Sequence, residues 1–133
     1  MPRISKVELK VLSMSSSNAT LEVEVTTRFY SREIASNTVF DCEVILENED
    51  GLGDPDVRRR TIGQTWMVAS NEPVTKTVTA TVDRNFLNED FLLFPGGPGD
   101  TTDEWYAKVK LTPFSPPAET VANSNIIRRE FQP

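Results

Sequence analysis

The chain has 133 residues, a length that fits one domain, and we expect a single domain over residues 1–133. Acidic residues outnumber basic ones 20 to 14, and the formal net charge of −6 disfavours binding to a phosphate backbone, so nucleic acid is not an expected partner. The sequence contains no histidine and one cysteine, which excludes serine–histidine and cysteine–histidine catalysis and histidine- or thiolate-ligated zinc.

The N-terminal part alternates apolar and polar residues with the period of two that half-buried strands show. Val7, Leu9 and Val11 form one row of a first strand, and the serine-rich segment 13–18 predicts a turn. A second strand follows, and we predict that the two pair as a hairpin. Its inward row is Leu21, Val23, Val25, Thr27 and Phe29.

Two further strands are predicted between residues 40 and 68. Phe40, Cys42, Val44 and Leu46 share one face of the third strand, with Ile45 as an apolar exception on the other face. The fourteen residues after that strand predict a loop, because glycine and proline punctuate an acidic and then basic stretch. A fourth strand over 61–68 places Ile62, Trp66 and Val68 on one side.

The clearest strand runs over 74–82, where threonine occupies every odd position from 75 to 81. Residues 83–94 change to helical spacing, with Asp83 available as N-cap, and predict a short helical crossover. A proline- and glycine-rich stretch follows, then two more strands, the last over 127–131. The inward row of the first of these is Trp105, Ala107, Val109 and Leu111.

About seven short strands and one helical crossover near residues 83–94 predict an all-β fold, a single antiparallel β-sandwich. This pattern resembles the immunoglobulin and fibronectin type III sandwiches. The paired cysteines of immunoglobulin domains are absent, since Cys42 is the single cysteine, and its place in an apolar row indicates a buried thiol. Trp66 and Trp105 are candidate core anchors, and Trp66 could instead be exposed and anchor a partner. Such sandwiches host many roles, so the fold does not select one.

Acidic loops raise the hypothesis of a calcium site, because hard cations prefer clustered oxygen ligands. The candidate metal ligands are Asn88, Asp90, Asp100 and Asp103. No cofactor is required, and calcium is the one that the sequence leaves open. Two acids across a cleft would suffice for glycoside hydrolysis, and Glu89 or Asp90 with Asp103 or Glu104 could supply them. Nothing in their spacing singles them out, and we expect a protein that is not an enzyme.

Aromatic side chains are the candidates for binding a partner, because they combine large contact area with little conformational freedom to lose. They are Tyr30, Tyr106, Phe114 and Phe131. The final strand could also pair with the sheet edge of a second copy, giving a homo-oligomer. The favoured hypothesis is a non-catalytic protein-interaction or assembly module, a subunit or accessory domain of a larger complex or particle. The alternative is a calcium-dependent adhesive or carbohydrate-binding domain.

No segment reaches the roughly 20 apolar residues that span a bilayer, and the N-terminus lacks the apolar core of a secretory signal. Membrane insertion is therefore not expected. Cytoplasmic placement is the default expectation, with export and association with a particle left open.

Overall fold

The computed structural model describes residues 2–48, 59–87, 103–114 and 120–131, which form two antiparallel sheets and two short helices. The strands are β1 Arg3–Met14, β2 Asn18–Arg28, β3 Val39–Asn48, β4 Arg59–Val68, β5 Val74–Asp83, β6 Asp103–Pro113, β7 Thr120–Asn123 and β8 Ile127–Arg129; the helices are α1 Ser31–Ala35 and α2 Arg84–Leu87. The predicted all-β sandwich is confirmed, with eight strands in these residues instead of about seven. The finer resemblance to immunoglobulin or fibronectin type III domains stays a prediction.

The first sheet has three strands in the order β1-β2-β5. The predicted hairpin is confirmed, because Val7 pairs with Val25 and Leu9 with Val23. All five side chains predicted to point inward from the second strand are buried. The other face of this sheet is polar: threonine hydroxyl pairs and Lys6–Glu24, an ion pair at 2.9 Å, lie across its strands.

The second sheet has five strands, in the order β4-β3-β6, and β7 and β8 pair one after the other with the far side of β6. The inward rows predicted for the third and sixth strands are confirmed, since all eight side chains are buried. Ile45, the predicted exception, lies on the opposite face and is still only 9% exposed. The closing strand β8 pairs with β6 of its own chain.

Trp105 is one of the two candidate core anchors that the sequence offered, and the structure places it in the core. Its side chain is fully buried, and its indole Nε1 donates a hydrogen bond of 2.9 Å to the carbonyl oxygen of Leu87. The ring of Phe86 packs on it at a centroid distance of 5.3 Å. A buried indole N–H needs a hydrogen-bond acceptor. The helix α2 supplies it through the Leu87 carbonyl, and its Phe86 ring packs on the core tryptophan.

The predicted helical crossover begins where the sequence placed it. The Asp83 carboxylate accepts a hydrogen bond of 2.8 Å from the backbone N–H of Asn85, as an N-cap does at the second helical position. The helix covers Arg84–Leu87, and the rest of the predicted 83–94 segment lies outside the described residues. The helix α1 was not predicted. In the described part of the chain, no helix is both long and apolar enough to cross a membrane.

The two sheets meet closely along both sides of the sandwich. On one side, Gly63 of β4 lies against Val78 of β5, and a Cβ added at Gly63 would overlap the valine side chain. On the other side, the amide of Asn125 caps the edge of β1, accepting from the Leu9 N–H at 2.8 Å and donating to the Leu9 carbonyl at 3.3 Å. These contacts leave the outer faces of the sheets as the larger free surfaces.

Candidate interaction surface

The outer face of the five-stranded sheet carries five rows of side chains, set by the register of β4 and β6 on the central strand β3. We call this surface the five-row face. In order, its rows are Val68, Val39 and Phe114; Trp66, Asp41 and Thr112; Gln64, Glu43 and Lys110; Thr61, Ile45 and Lys108; and Arg59, Glu47 and Tyr106. Val121 and Asn123 of β7 extend the third and fourth rows.

Two aromatic rings lie together at one end of the five-row face. Trp66 is 57% exposed and Phe114 is 62% exposed, and their ring centroids are 5.2 Å apart. Val68, beside them, is 51% exposed. The rings come from β4 and from the residue after β6, so they meet across β3. The result is a continuous apolar cluster that solvent reaches.

The exposure of Trp66 follows from the pairing of β4. Trp66 is opposite Asp41, an outward residue, while its neighbour Met67 is opposite Phe40 and is fully buried. A register shift between Val44 and Ile45 lets Ile62 bulge without changing this end of the strand. Of the two tryptophans proposed as core anchors, Trp105 alone is in the core.

Charged side chains occupy the middle of the five-row face in two adjacent columns. The β3 column is acidic, with Asp41, Glu43 and Glu47, and the neighbouring β6 column carries Lys108 and Lys110. Glu43 and Lys110 are directly opposite each other in the register, yet no ion pair within 4.0 Å joins them in the described residues. Glu43 instead accepts a hydrogen bond of 3.1 Å from the Thr61 hydroxyl.

A polar network closes the far end of the face. The Tyr106 hydroxyl donates to the Glu47 carboxylate, whose other oxygen lies 3.3 Å from the Arg59 guanidinium. The Glu47 side chain is only 7% exposed, and the Arg59 guanidinium and the Tyr106 hydroxyl compensate the burial of its charge. A shallow cavity of about 300 Å³ beside Tyr106 is also lined by Asn123, Ser124 and Ile126.

The predicted partner-binding residues have different places in the structure. Phe114 is on the five-row face and exposed, and Tyr106 is on the same face and half-buried. Tyr30 is 52% exposed and precedes α1, where its backbone N–H donates to Glu33. Phe131 is fully buried in the core, and the Arg84 side chain donates a hydrogen bond of 3.2 Å to its carbonyl oxygen. Phe131 therefore offers no contact surface.

The proposed metal ligands are mostly beyond what the structure describes. Asn88, Asp90 and Asp100 lie outside the described residues, and Asp103 begins β6 opposite Arg129. Among the residues that are described, no group of three or more cysteine, aspartate or glutamate side chains is arranged to hold a metal ion. The calcium hypothesis therefore stays a prediction.

The sequence left open whether Trp66 lies in the core or at the surface, and it did not identify Val68 or Gln64 as part of a binding surface. The available signal was the mixed composition of the Ile62, Gln64, Trp66 and Val68 row, since a polar residue in the middle of an apolar row argues against a core face. The partnership of Trp66 with Phe114 had no local signal.

The fold and this surface define a β-sandwich with a partly apolar outer sheet face. No known protein family and no curated protein matches the sequence. Solved structures share the fold. The solution structure of AT1g01470 from Arabidopsis thaliana matches with a TM-score of 0.54 and 9% identity over 95% of this chain and 80% of that one. A crystal structure of a protein from Archaeoglobus fulgidus has a TM-score of 0.54 and 8% identity over 96% and 94%.

Proposed function

We propose that this chain is a non-catalytic protein-interaction or assembly module, a subunit or accessory domain of a larger complex, that binds through its five-row face. The observation that supports this most is the exposed contact between Trp66 and Phe114. Fully buried aromatic side chains remove about 150–250 Å² each from solvent, so two rings more than half exposed leave roughly 100 Å² or more apiece in water. Contiguous exposed apolar patches are uncommon on monomeric proteins and are often functional.

The rings are held on a rigid base. Trp66 lies within β4, and the Phe114 backbone N–H donates to the carbonyl of Val39 at 3.4 Å. A partner that buries them would order few additional degrees of freedom, because the strands already fix the backbone. Tryptophan and other aromatics in such settings carry a large share of binding energy.

The remainder of the five-row face adds polar contacts beside the aromatic pair. Charged and amide side chains follow the rings along β3, β4 and β6, and protein interfaces combine apolar patches with polar side chains in this way. The outer face of the three-stranded sheet is different, since threonine pairs and ion-paired lysines lie across it and no pair of aromatic rings packs there in the described residues. This contrast supports the five-row face as the binding side. We also propose, from the strand pattern of the sequence, that the sandwich resembles those of immunoglobulin and fibronectin type III domains.

A photo-crosslinking amino acid at Gln64 tests the proposal. Gln64 is exposed, sits in the third row and is two residues from Trp66, so a bound partner would lie within reach. The matched control is the same group at Thr79, which is exposed on the outer face of the other sheet. Both proteins are expressed in the source organism, irradiated and examined by mass spectrometry.

The proposal predicts a specific crosslinked protein from Gln64, lost when Trp66→Ser and Phe114→Ser are combined with the probe, and none from Thr79. Equal crosslinking from both faces, or none from Gln64, contradicts it. Leu12→Ser is the control for removal of an exposed apolar side chain, because Leu12 is 51% exposed on the other sheet.

A further inference from the structure

We infer that the partner of the five-row face is a second copy of this chain, docked face to face about a two-fold axis parallel to the strands. This inference rests on the proposed function and adds the identity and orientation of the partner. It is carried by the arrangement of charge on the face, together with the position of the aromatic pair.

The acidic and basic columns are adjacent and run side by side. Asp41 and Glu43 lie on β3, while Lys110 and Lys108 lie opposite Glu43 and Ile45 on β6. Neither lysine forms an ion pair within 4.0 Å in the part of the chain that the structure describes. The two columns therefore carry opposite charges one strand spacing apart. Ion pairs with neighbouring side chains do not neutralise these charges.

A two-fold axis parallel to the strands and midway between β3 and β6 places β3 of each copy over β6 of the other. Each residue then faces its own row, so Glu43 meets Lys110 of the second copy, and Lys110 meets Glu43 of the second copy. An axis perpendicular to the strands would stack β3 on β3 and set the acidic columns against each other. Like charges facing across an interface cost several kcal/mol, so the charge pattern selects the first arrangement.

The same axis joins the aromatic side chains of the two copies. Phe114 lies in the β6 column of the first row, so it comes over Val39 of the second copy, next to Phe114 of the second copy. Trp66 flanks this contact from β4 on each side. The four rings then lie over the first two rows as one apolar cluster at the end of the interface, while the charged rows fill its centre.

The face is large enough for a weak interface and is electrically neutral. Strands rise about 3.3 Å per residue and lie about 4.8 Å apart, so the three longer strands β3, β4 and β6 together with the four-residue β7 cover roughly 500 Å². That is below the roughly 800 Å² that each partner contributes to a standard interface, and it fits the smaller area of weak, transient complexes. The five rows contain three acidic and three basic side chains, so the formal net charge of −6 is carried outside the face and opposes its self-association weakly.

Charge reversal with analytical ultracentrifugation tests the inference. The proteins are the wild type, Glu43→Lys, Lys110→Glu and the double variant, each from about 1 to 500 μM, which spans weak protein association. The matched control is Lys10→Glu, an equal charge change at an exposed residue of the other sheet. Thermal melting checks that every variant is folded.

The wild type is expected to dimerise in the micromolar range, and each single reversal to weaken dimerisation by about 100-fold, because two like-charged pairs replace two opposite ones. An equimolar mixture of Glu43→Lys and Lys110→Glu is expected to dimerise again, and so is the double variant. Lys10→Glu should behave as wild type. A wild type that stays monomeric, folded single variants that still dimerise, or a mixture that stays monomeric would each overturn the inference.

Failure of this inference is separable from failure of the proposed function. If the wild type is monomeric and the Gln64 probe captures a different protein, the module assignment holds and the second copy is wrong. If the probe captures nothing and the wild type is monomeric, both are wrong.

Discussion

Gly63→Ala tests the orientation of β4, on which the exposure of Trp66 depends. Gly63 and Trp66 are an odd number of positions apart on one strand, so they project from opposite faces. A Cβ at Gly63 would point toward β5, overlap Val78 Cγ1 and approach Val78 Cβ to 3.4 Å. Val78 is only 9% exposed, and its branched side chain is stiff, so it cannot move aside freely.

Overpacking of a filled interior costs about 1–3 kcal/mol, and replacing glycine by alanine in a strand returns roughly 0.4–1 kcal/mol through the unfolded chain. We therefore expect Gly63→Ala to lower the free energy of unfolding by about 1–2 kcal/mol. Val78→Ala removes the obstructing atoms at its own cost of roughly 2 kcal/mol. In the Val78→Ala background, Gly63→Ala should be neutral or stabilising. The two substitutions should therefore show a coupling energy of about 1–3 kcal/mol.

Urea denaturation of the four proteins of this cycle measures the effect, with Gln64→Ala as the control on the outward side of the same strand. Gln64→Ala should stay within about 0.5 kcal/mol of wild type. A neutral Gly63→Ala, additive with Val78→Ala, would refute the assigned orientation of β4 and with it the exposed position of Trp66.

Three further predictions concern the core and the unassigned loops. The Thr27 hydroxyl is fully buried with no hydrogen-bond partner in the described residues, so Thr27→Val should raise stability by about 1 kcal/mol in urea denaturation, while Thr79→Val on the exposed face stays within about 0.5. Burial raises the pKa of the Cys42 thiol from 9.0 to about 11, so the stability that the protonated thiol contributes is complete below pH 9 and is lost as pH rises toward 11. In thermal melts over that pH range, wild type should lose stability relative to Cys42→Ala. Parallel curves for the two proteins would contradict the burial of this thiol. If the chain is an interaction module without bound calcium, its melting temperature should be the same in chelator and in millimolar calcium, whereas a rise of several degrees would favour the calcium-dependent alternative.

The strands whose alternation was unbroken could be predicted closely from sequence. The inward rows of β2, β3, β5 and β6 follow a period of two with few exceptions. Burial of one face strongly determines the pairing register of such strands. The start of α2 was also predictable, because Asp83 caps it by a purely local hydrogen bond. These features depend on residues close together in the sequence.

Features that depend on long-range pairing were not predictable in the same way. The strand β7, Thr120–Asn123, has four residues and no run long enough to show a period. Whether Trp66 faces core or solvent depends on how the edge strand β4 aligns with β3, which the alternation of β4 alone does not determine. Phe131 is buried in the core and bonded to Arg84, which is 47 positions away, so its burial has no local signal.

The candidate site was therefore predicted in part. Phe114 and Tyr106 were named from their aromatic character, and both lie on the five-row face. The contact between Trp66 and Phe114 joins residues 48 positions apart, and the adjacent charge columns join residues still farther apart, such as Glu43 and Lys110 at 67 positions. Composition identifies which side chains could bind, and the sheet register decides which of them act together.

Fluorine NMR on protein labelled with 5-fluorotryptophan tests the central claim most directly, because the two tryptophans report on opposite environments in one spectrum. Trp66 is 57% exposed at the aromatic pair, while Trp105 is fully buried and serves as an internal reference. On raising the protein concentration, or on adding the protein captured from Gln64, the Trp66 resonance should shift or broaden and lose its solvent-isotope effect while Trp105 stays unchanged. A Trp66 resonance that never changes under these conditions, or a change confined to Trp105, would contradict the claim that the five-row face is the binding surface.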